Sequence, residues 1–163
     1  MAVSAADILG SIGSGSVTAS LGRISVTVPV TVTARALRTL DGFETSFATA
    51  TGTRAMLARS TDMTRVHNGY ASARLDYATG SEGNAYIGLN YAIPSNYDQL
   101  NFWVYGDNSG AQLALVTDTG SVNLGALNFS GWKLLTANLG AATAITGMIV
   151  SSDTELISAV YLD

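Results

Sequence analysis

The chain has 163 residues, of which 47% are apolar and 12% charged, so it can fill one folded domain and is not a disordered segment. Its net charge of −4, with Lys133 the sole lysine beside seven arginines, argues against a partner bound through phosphates, such as nucleic acid. Without cysteine, disulfides and thiolate chemistry are excluded.

Residues 1–35 are predicted to form an N-terminal extension. It would comprise a short helix at 4–9, a flexible Gly/Ser linker at 10–16, and a β-hairpin from SVTASL and ISVTVPVTVTA. Its first residues show no signal-peptide pattern, and no run of about 18 apolar residues predicts membrane insertion.

The second strand of this hairpin alternates apolar and hydroxyl residues, which predicts one apolar face. The residues of that face are candidate assembly residues: Ile24, Val26, Val28, Val30 and Val32. A lone hairpin makes too little core to be stable, so this face is expected to cover another surface. It could fold back onto its own chain or enter a neighbouring copy by strand exchange, which would build a homo-oligomer.

The remaining residues, 36–163, contain short runs bounded by Gly, Asn, Asp or Ser. They predict strands near 38–47, 54–61, 71–78, 84–91, 98–106, 111–117, 121–127, 132–139, 145–151 and 156–163. Many short strands with few helical stretches predict an all-β fold, an antiparallel jelly-roll β-sandwich with the hairpin as an N-terminal extension.

No catalytic constellation is complete. Asp118-Thr119-Gly120-Ser121 is similar to an aspartic-protease loop, but one copy lacks the second carboxylate, and Asp-Gly sequences are typical of turns. His67 is the only histidine and is expected at the surface beside a turn. Asp76 and Glu82 are the only acid pair considered for glycoside hydrolysis, and nothing fixes their separation. The sequence therefore favours a non-enzyme.

Alternation along two strands predicts an outward surface of aromatic and amide side chains. If both strands lie in one sheet, that surface holds the candidate ligand-binding residues Tyr86, Asn90, Asn101, Trp103, Tyr105 and Gln112, joined by Arg74 and Asp76. Sugars suit such a surface because their C–H faces stack on aromatic rings while their hydroxyls bind polar side chains. The alternative is that Trp103 and Tyr105 cover a second core layer or a subunit contact.

Five segments occur in the order seen in jelly-roll carbohydrate-binding modules: LDGFET, GYASARLDY, LNFWVYGDNSG, FSGWKLLTANL and AVYLD. Residues 37–163 thereby resemble the module that accompanies bacterial phosphodiester glycosidases and other cell-surface proteins. Residues 16–34 resemble the closing hairpin of a bacterial immunoglobulin-like domain. The resemblance implies an extracellular or cell-surface location.

The same resemblance implies a structural Ca²⁺ between the first and last strands of the module. Glu44, Asp163, Asp41 and Asn68 are its candidate ligands, because calcium takes six to eight oxygens from carboxylates and carbonyls. The alternative is that these are solvated carboxylates at strand ends.

Two functions remain open at this point. The first is a non-catalytic carbohydrate-binding module of a cell-surface or secreted protein, with a glycan as its partner. The second is a self-assembling structural subunit of a filament, tube or virion, whose partners are copies of itself joined by N-terminal strand exchange.

Overall fold

The computed structural model describes residues 13–21, 24–32, 39–45, 47, 49–95 and 97–163. The chain divides into two compact units, Met1–Thr39 and Leu40–Asp163. The helix expected at 4–9 lies outside the described residues. Within the described part of the chain, no helix is long and apolar enough to cross a membrane.

The first unit contains an antiparallel hairpin of β1 (Gly13–Leu21) and β2 (Ile24–Val32). Its register runs from Leu21 opposite Ile24 to Gly13 opposite Val32, so two residues separate the strands. Part of the predicted Gly/Ser linker therefore belongs to β1. On the apolar face of β2, Val26 is 59% exposed and Val28 is 53% exposed. The hairpin therefore leaves apolar surface that it cannot cover itself.

The second unit is a sandwich of two antiparallel sheets. Its strands are β3 (Ala50–Thr51), β4 (Ala55–Ser60), β5 (Ser72–Thr79), β6 (Ala85–Ala92), β7 (Gln99–Asp107), β8 (Gln112–Thr117), β9 (Gly120–Ala126), β10 (Ser130–Asn138), β11 (Ala144–Ser151) and β12 (Leu156–Leu162). One sheet has the order β10-β7-β12-β5-β4-β3 and the other β6-β11-β8-β9. The four strands β5-β12-β7-β10 facing β6-β11-β8-β9 make a jelly roll. The predicted fold class is confirmed.

The core lies between the two sheets, where alternate residues of each strand are buried. Its largest side chains with almost no exposure are Leu75, Ile87, Leu113, Leu127 and Ile145. Because side chains alternate along a strand, the residues between them point to the outer faces. Those outer faces carry the candidate site.

The strand expected near 38–47 is wrong, since none of the described residues in that range is in a strand. The Asp41 carboxylate accepts a hydrogen bond from the Phe43 amide at 2.7 Å, and Phe43 has a φ of 56°. This left-handed turn breaks the extended backbone that a strand requires. Among the described residues of the second unit, strand pairing begins at β3.

Candidate functional site

The structure places the predicted ligand-binding residues on two different surfaces. Tyr86 and Asn90 lie on β6 and Gln112 on β8, in the four-stranded sheet, whereas Asn101, Trp103 and Tyr105 lie on β7, in the six-stranded sheet. The predicted surface required β6 and β7 to lie in one sheet, and they lie in different sheets. That prediction is wrong. The six residues do not form a single binding surface.

Tyr86 packs flat against its own sheet. Its hydroxyl donates a hydrogen bond to the Thr146 carbonyl at 3.2 Å. A Cβ at Gly147 would lie 2.6 Å from Cε2 of the Tyr86 ring, so glycine is needed there to let the ring lie on β11. Tyr86 is thus anchored by local packing, with 37% of its surface exposed.

A row of aromatic residues crosses the outer face of the six-stranded sheet. Trp132 of β10 is opposite Tyr105 of β7, and Tyr105 is opposite Tyr161 of β12. The Tyr105 ring meets both neighbours edge to face, with centroid distances of 5.5 Å to Trp132 and 6.3 Å to Tyr161. We call Trp132, Tyr105 and Tyr161 the aromatic row. Arg74 of β5 is opposite Tyr161 of β12, so it lies next to the aromatic row on the same face of the sheet.

The loop between β4 and β5 covers Trp103. The His67 ring stacks on the Trp103 ring at 3.9 Å with an interplanar angle of 18°, and meets Trp132 edge to face at 5.5 Å. His67 is therefore half-buried rather than a free surface residue, and its Nδ1 atom is buried with no hydrogen-bond partner among the described residues. Trp103 thus lies beneath this loop, and His67 contacts both Trp103 and Trp132 of the aromatic row.

Arg65, from the 3-10 turn Met63–Arg65, lies over the aromatic row. Its Cζ atom is 4.2 Å from the centroid of Tyr105 and 5.9 Å from that of Tyr161. A guanidinium over an aromatic face is held by the ring quadrupole. The aromatic row thus carries a cation on its outer side.

A shallow groove of about 730 Å³ lies on the same outer face, and we call it the sheet groove. Its lining residues include Met56, Arg74, Asp76, Ile157 and Ala159. Arg74 donates two hydrogen bonds to Asp76 Oδ1, at 3.0 Å from Nε and 2.6 Å from Nη2. Ile157 is 92% exposed and Met56 is 42% exposed. The groove therefore combines apolar walls with a charged pair that adjoins the aromatic row.

A solved structure described as "Structural basis for the promiscuous specificity of the carbohydrate-binding modules from the beta-sandwich super family" has the same architecture, with a TM-score of 0.54 and 17% identity. The chain has the same β-sandwich fold as that structure. The match covers 86% of this chain and 66% of the other, so this chain spans just under two thirds of that protein's length. No protein-family model and no curated relative matches the sequence.

The resemblance implies a structural calcium ion, and the three carboxylates among its candidate ligands, Glu44, Asp163 and Asp41, make hydrogen bonds within the chain. Asp163 Oδ2 accepts hydrogen bonds from the amides of His67 and Asn68, both at 2.9 Å. Asp41 Oδ2 instead accepts one from the Tyr91 hydroxyl at 2.7 Å. Among the described residues, no group of three or more acidic or histidine side chains could hold an ion. Calcium stays a prediction.

Glu44, another of the candidate calcium ligands, binds the loop between β4 and β5. Its two carboxylate oxygens both lie 3.0 Å from the Tyr70 amide. Gly69 has a φ of 76°, and a Cβ there would lie 1.8 Å from Glu44 Oε1. The positive φ favours glycine at this position, and a Cβ there would displace the Glu44 carboxylate. Glu44 and Asp163 therefore bind backbone donors of one loop, the one that carries His67 and Arg65.

The motif Asp118-Thr119-Gly120-Ser121, which is similar to an aspartic-protease loop, lies at a turn, as expected. Asp118 and Thr119 connect β8 to β9, and the Asp118 carboxylate accepts hydrogen bonds from the amides of Thr143 and Ala144. The hydrogen bond from the Thr143 hydroxyl is the main reason that the pKa of Asp118 lies below its usual value. The Asp118 carboxylate thus connects the turn between β8 and β9 to the segment between β10 and β11.

Asp107, in the motif WVYGDNSG, has a structural role as well. Its carboxylate accepts hydrogen bonds from the Tyr77 hydroxyl and from the Ser109 amide, which lies 3.1 Å away. Burial alone would raise the pKa of Asp107, but hydrogen bonds from Ser158, Tyr77 and Ser109 outweigh it and hold the pKa below its usual value. Burial, followed by the bond to Asp107, raises the pKa of Tyr77 to about 12.

Sequence reasoning missed four contributors to this face: Arg65, His67, Trp132 and Tyr161. Alternation places Tyr161 outward, because its neighbours Val160 and Leu162 are buried. The order of strands in the sheet, which brings Tyr161 beside Tyr105, has no local signal in the sequence. Arg65 and His67 reach the face from a loop, where no periodicity applies.

Proposed function

We propose that this chain is a non-catalytic glycan-binding module of a cell-surface or secreted protein, and that it binds glycans on the outer face of its six-stranded sheet. The observation that carries the proposal is the junction of the aromatic row with the sheet groove. Arg74 belongs to both, since it follows Tyr161 in register and lines the groove with Asp76.

The chemistry of this junction suits a sugar chain. Aromatic rings offer apolar faces on which the C–H groups of a pyranose can stack. The Arg74–Asp76 pair supplies hydrogen-bond donors and an acceptor at the edge of those rings, which sugar hydroxyls require. The similarity in fold to the solved structure of carbohydrate-binding modules also supports glycan binding.

The acidic residues considered for catalysis support binding rather than hydrolysis. Asp76 pairs with Arg74 at 2.6 Å, and Glu82 pairs with Arg54 at 2.9 Å. Each carboxylate is thus neutralised by its own cation. A general acid for glycoside hydrolysis instead needs an orientation toward the bond that it protonates.

Substitution on the two outer faces tests this assignment. Tyr161→Ala should weaken binding to a responsive polysaccharide by about 1–3 kcal/mol, the scale of a lost aromatic contact at a binding centre. Tyr86→Ala, on the other sheet, is the matched control and should leave affinity unchanged. Affinity is measured by titration calorimetry after screening a glycan array, and melting curves confirm that both variants fold.

Two results would contradict the proposal. One is the absence of glycan binding by the unmodified protein across the array. The other is a loss of affinity in Tyr86→Ala but not in Tyr161→Ala, which would move the site to the four-stranded sheet.

Self-assembly is the second candidate function, and the exposed valines of β2 favour it. Val26 and Val28 present apolar side chains from a hairpin that is too small to be stable alone. In this alternative, which we also propose for testing, the hairpin pairs with a neighbouring copy and the module is a structural subunit.

A further inference from the structure

We infer that the aromatic row selects glycans that carry a negatively charged group, such as a carboxylate or sulfate; this inference rests on the glycan-binding function proposed above. The observation behind it is the position of Arg65. Its guanidinium lies over the Tyr105 ring, 4.2 Å from the centroid, so a glycan bound along the rest of the aromatic row would lie beside this cation.

The donors of Arg65 are largely unused. Within the described part of the chain, it makes no ion pair, and its one side-chain hydrogen bond goes from Nη1 to the Thr64 carbonyl at 3.3 Å. A guanidinium has five N–H donors in a planar fork that matches a carboxylate or a sulfate. Four donors thus remain for a ligand beside the aromatic row.

Two guanidiniums lie beside the aromatic row, and in the part of the chain that the structure describes only one of them is bound to a carboxylate. The guanidiniums of Arg65 and Arg74 flank Tyr161, one over the ring and one in register beside it. Of the acids nearby, Asp76 binds Arg74, whereas the Asp62 and Asp163 carboxylates accept hydrogen bonds from the amides of Thr64 and His67. Arg65 is therefore the guanidinium of this pair whose N–H donors bind no carboxylate among the described residues.

A neutral glycan alone does not account for this arrangement. Sugar hydroxyls can be bound by amides or by a paired arginine, and the sheet groove already holds the paired Arg74. An arginine held over an aromatic ring, with no carboxylate of the described residues hydrogen-bonded to it, is preorganised to bind an oxyanion. Arg65 thereby gives the binding surface a charge preference.

Matched polymers test the inference. The unmodified protein is titrated with polygalacturonate and with its fully methyl-esterified form, and separately with dextran sulfate and with dextran. Each pair has the same sugar backbone and differs in charge. We expect the charged member of at least one pair to bind about tenfold more tightly, as a charge-assisted hydrogen bond predicts. That preference should shrink as salt is raised.

Two variants assign the preference to Arg65. Arg65→Met removes the cation and should abolish the difference between the paired polymers. Lys133→Met makes the same change in net charge at a residue whose ammonium lies 4.9 Å from the Phe129 centroid, away from the aromatic row, and should retain the difference. Arg65→Lys keeps the charge without the planar fork and should retain only part of it.

The outcomes separate this inference from the proposed function. Equal affinity for both members of each pair, or equal loss in Arg65→Met and Lys133→Met, overturns the charge preference and leaves glycan binding in place. Failure to bind these polymers or any glycan of the array overturns the proposed function itself.

Discussion

At the scale of single residues, Glu44 and Asp163 act as anchors for the loop that bears Arg65 and His67. Together their carboxylates accept hydrogen bonds from the amides of His67, Asn68 and Tyr70. Backbone donors surround these acids, whereas a calcium ion would need oxygen acceptors around it. The anchoring and metal-binding roles make different predictions.

We expect Glu44→Ala to destabilise the protein by about 1–2 kcal/mol, because a charge-assisted hydrogen bond to the loop is lost. The loss should be the same in calcium and in chelator if anchoring is the whole role. Urea unfolding in both buffers measures it, and Asp153→Ala, at an exposed acid, is the control. A destabilisation seen only with calcium present would instead establish the metal site that the resemblance implies.

At the scale of elements, the hairpin of β1 and β2 poses the question of what covers its valines. We expect the double substitution Val26→Asp and Val28→Asp to disrupt that contact, because a carboxylate is costly on a covered apolar surface. If the hairpin joins copies, the variant becomes a monomer while its module still melts normally. If it folds back, the melting temperature falls and the size is unchanged.

Size in solution, measured by light scattering at several concentrations, separates these two results. Thr27→Asp adds the same kind of charge to the opposite face of β2 and is the matched control. Unchanged size and unchanged melting in the double variant would contradict both forms of the contact and show that the valine face is free.

The local pattern predicts most strands, because alternation and turn residues act within a few positions. Nine strands of the sandwich lie close to their expected bounds, whereas the expected strand near 38–47 fails where Phe43 turns left-handed. The site is predicted less well. Tyr105 and Asp76 belong to it, but the grouping of Tyr86 with Trp103 depended on strand order, which non-local pairing decides.

At the scale of the whole molecule, Asp107 and Tyr77 make stability depend on pH at both extremes. The depressed pKa of Asp107 stabilises the folded state above its unfolded value of about 3.9, and this contribution is lost as the pH falls through the folded value. The pKa of Tyr77, raised to about 12, gives a contribution that is complete below about pH 10 and lost as the pH rises toward 12.

We therefore expect the free energy of unfolding to fall below about pH 4 and again above about pH 10. Tyr77→Phe should reduce the alkaline fall, and Asp107→Asn should reduce the acid fall while lowering stability at neutral pH. Urea denaturation across this pH range measures both. If Tyr77→Phe leaves the alkaline limb unchanged, other groups with raised pKa values, such as Tyr91, account for it.

The position of β12 has a consequence for how the protein is made. This strand is the last of the sandwich in sequence order, yet it lies inside the six-stranded sheet, between β5 and β7. Until β12 has been synthesised, β5 and β7 therefore lack the strand that pairs with both of them. The six-stranded sheet is then incomplete, and the apolar faces of β5 and β7 are not fully covered. The nascent polypeptide cannot close its sandwich until β12 is free to pair, so β5 and β7 are exposed to aggregation until then.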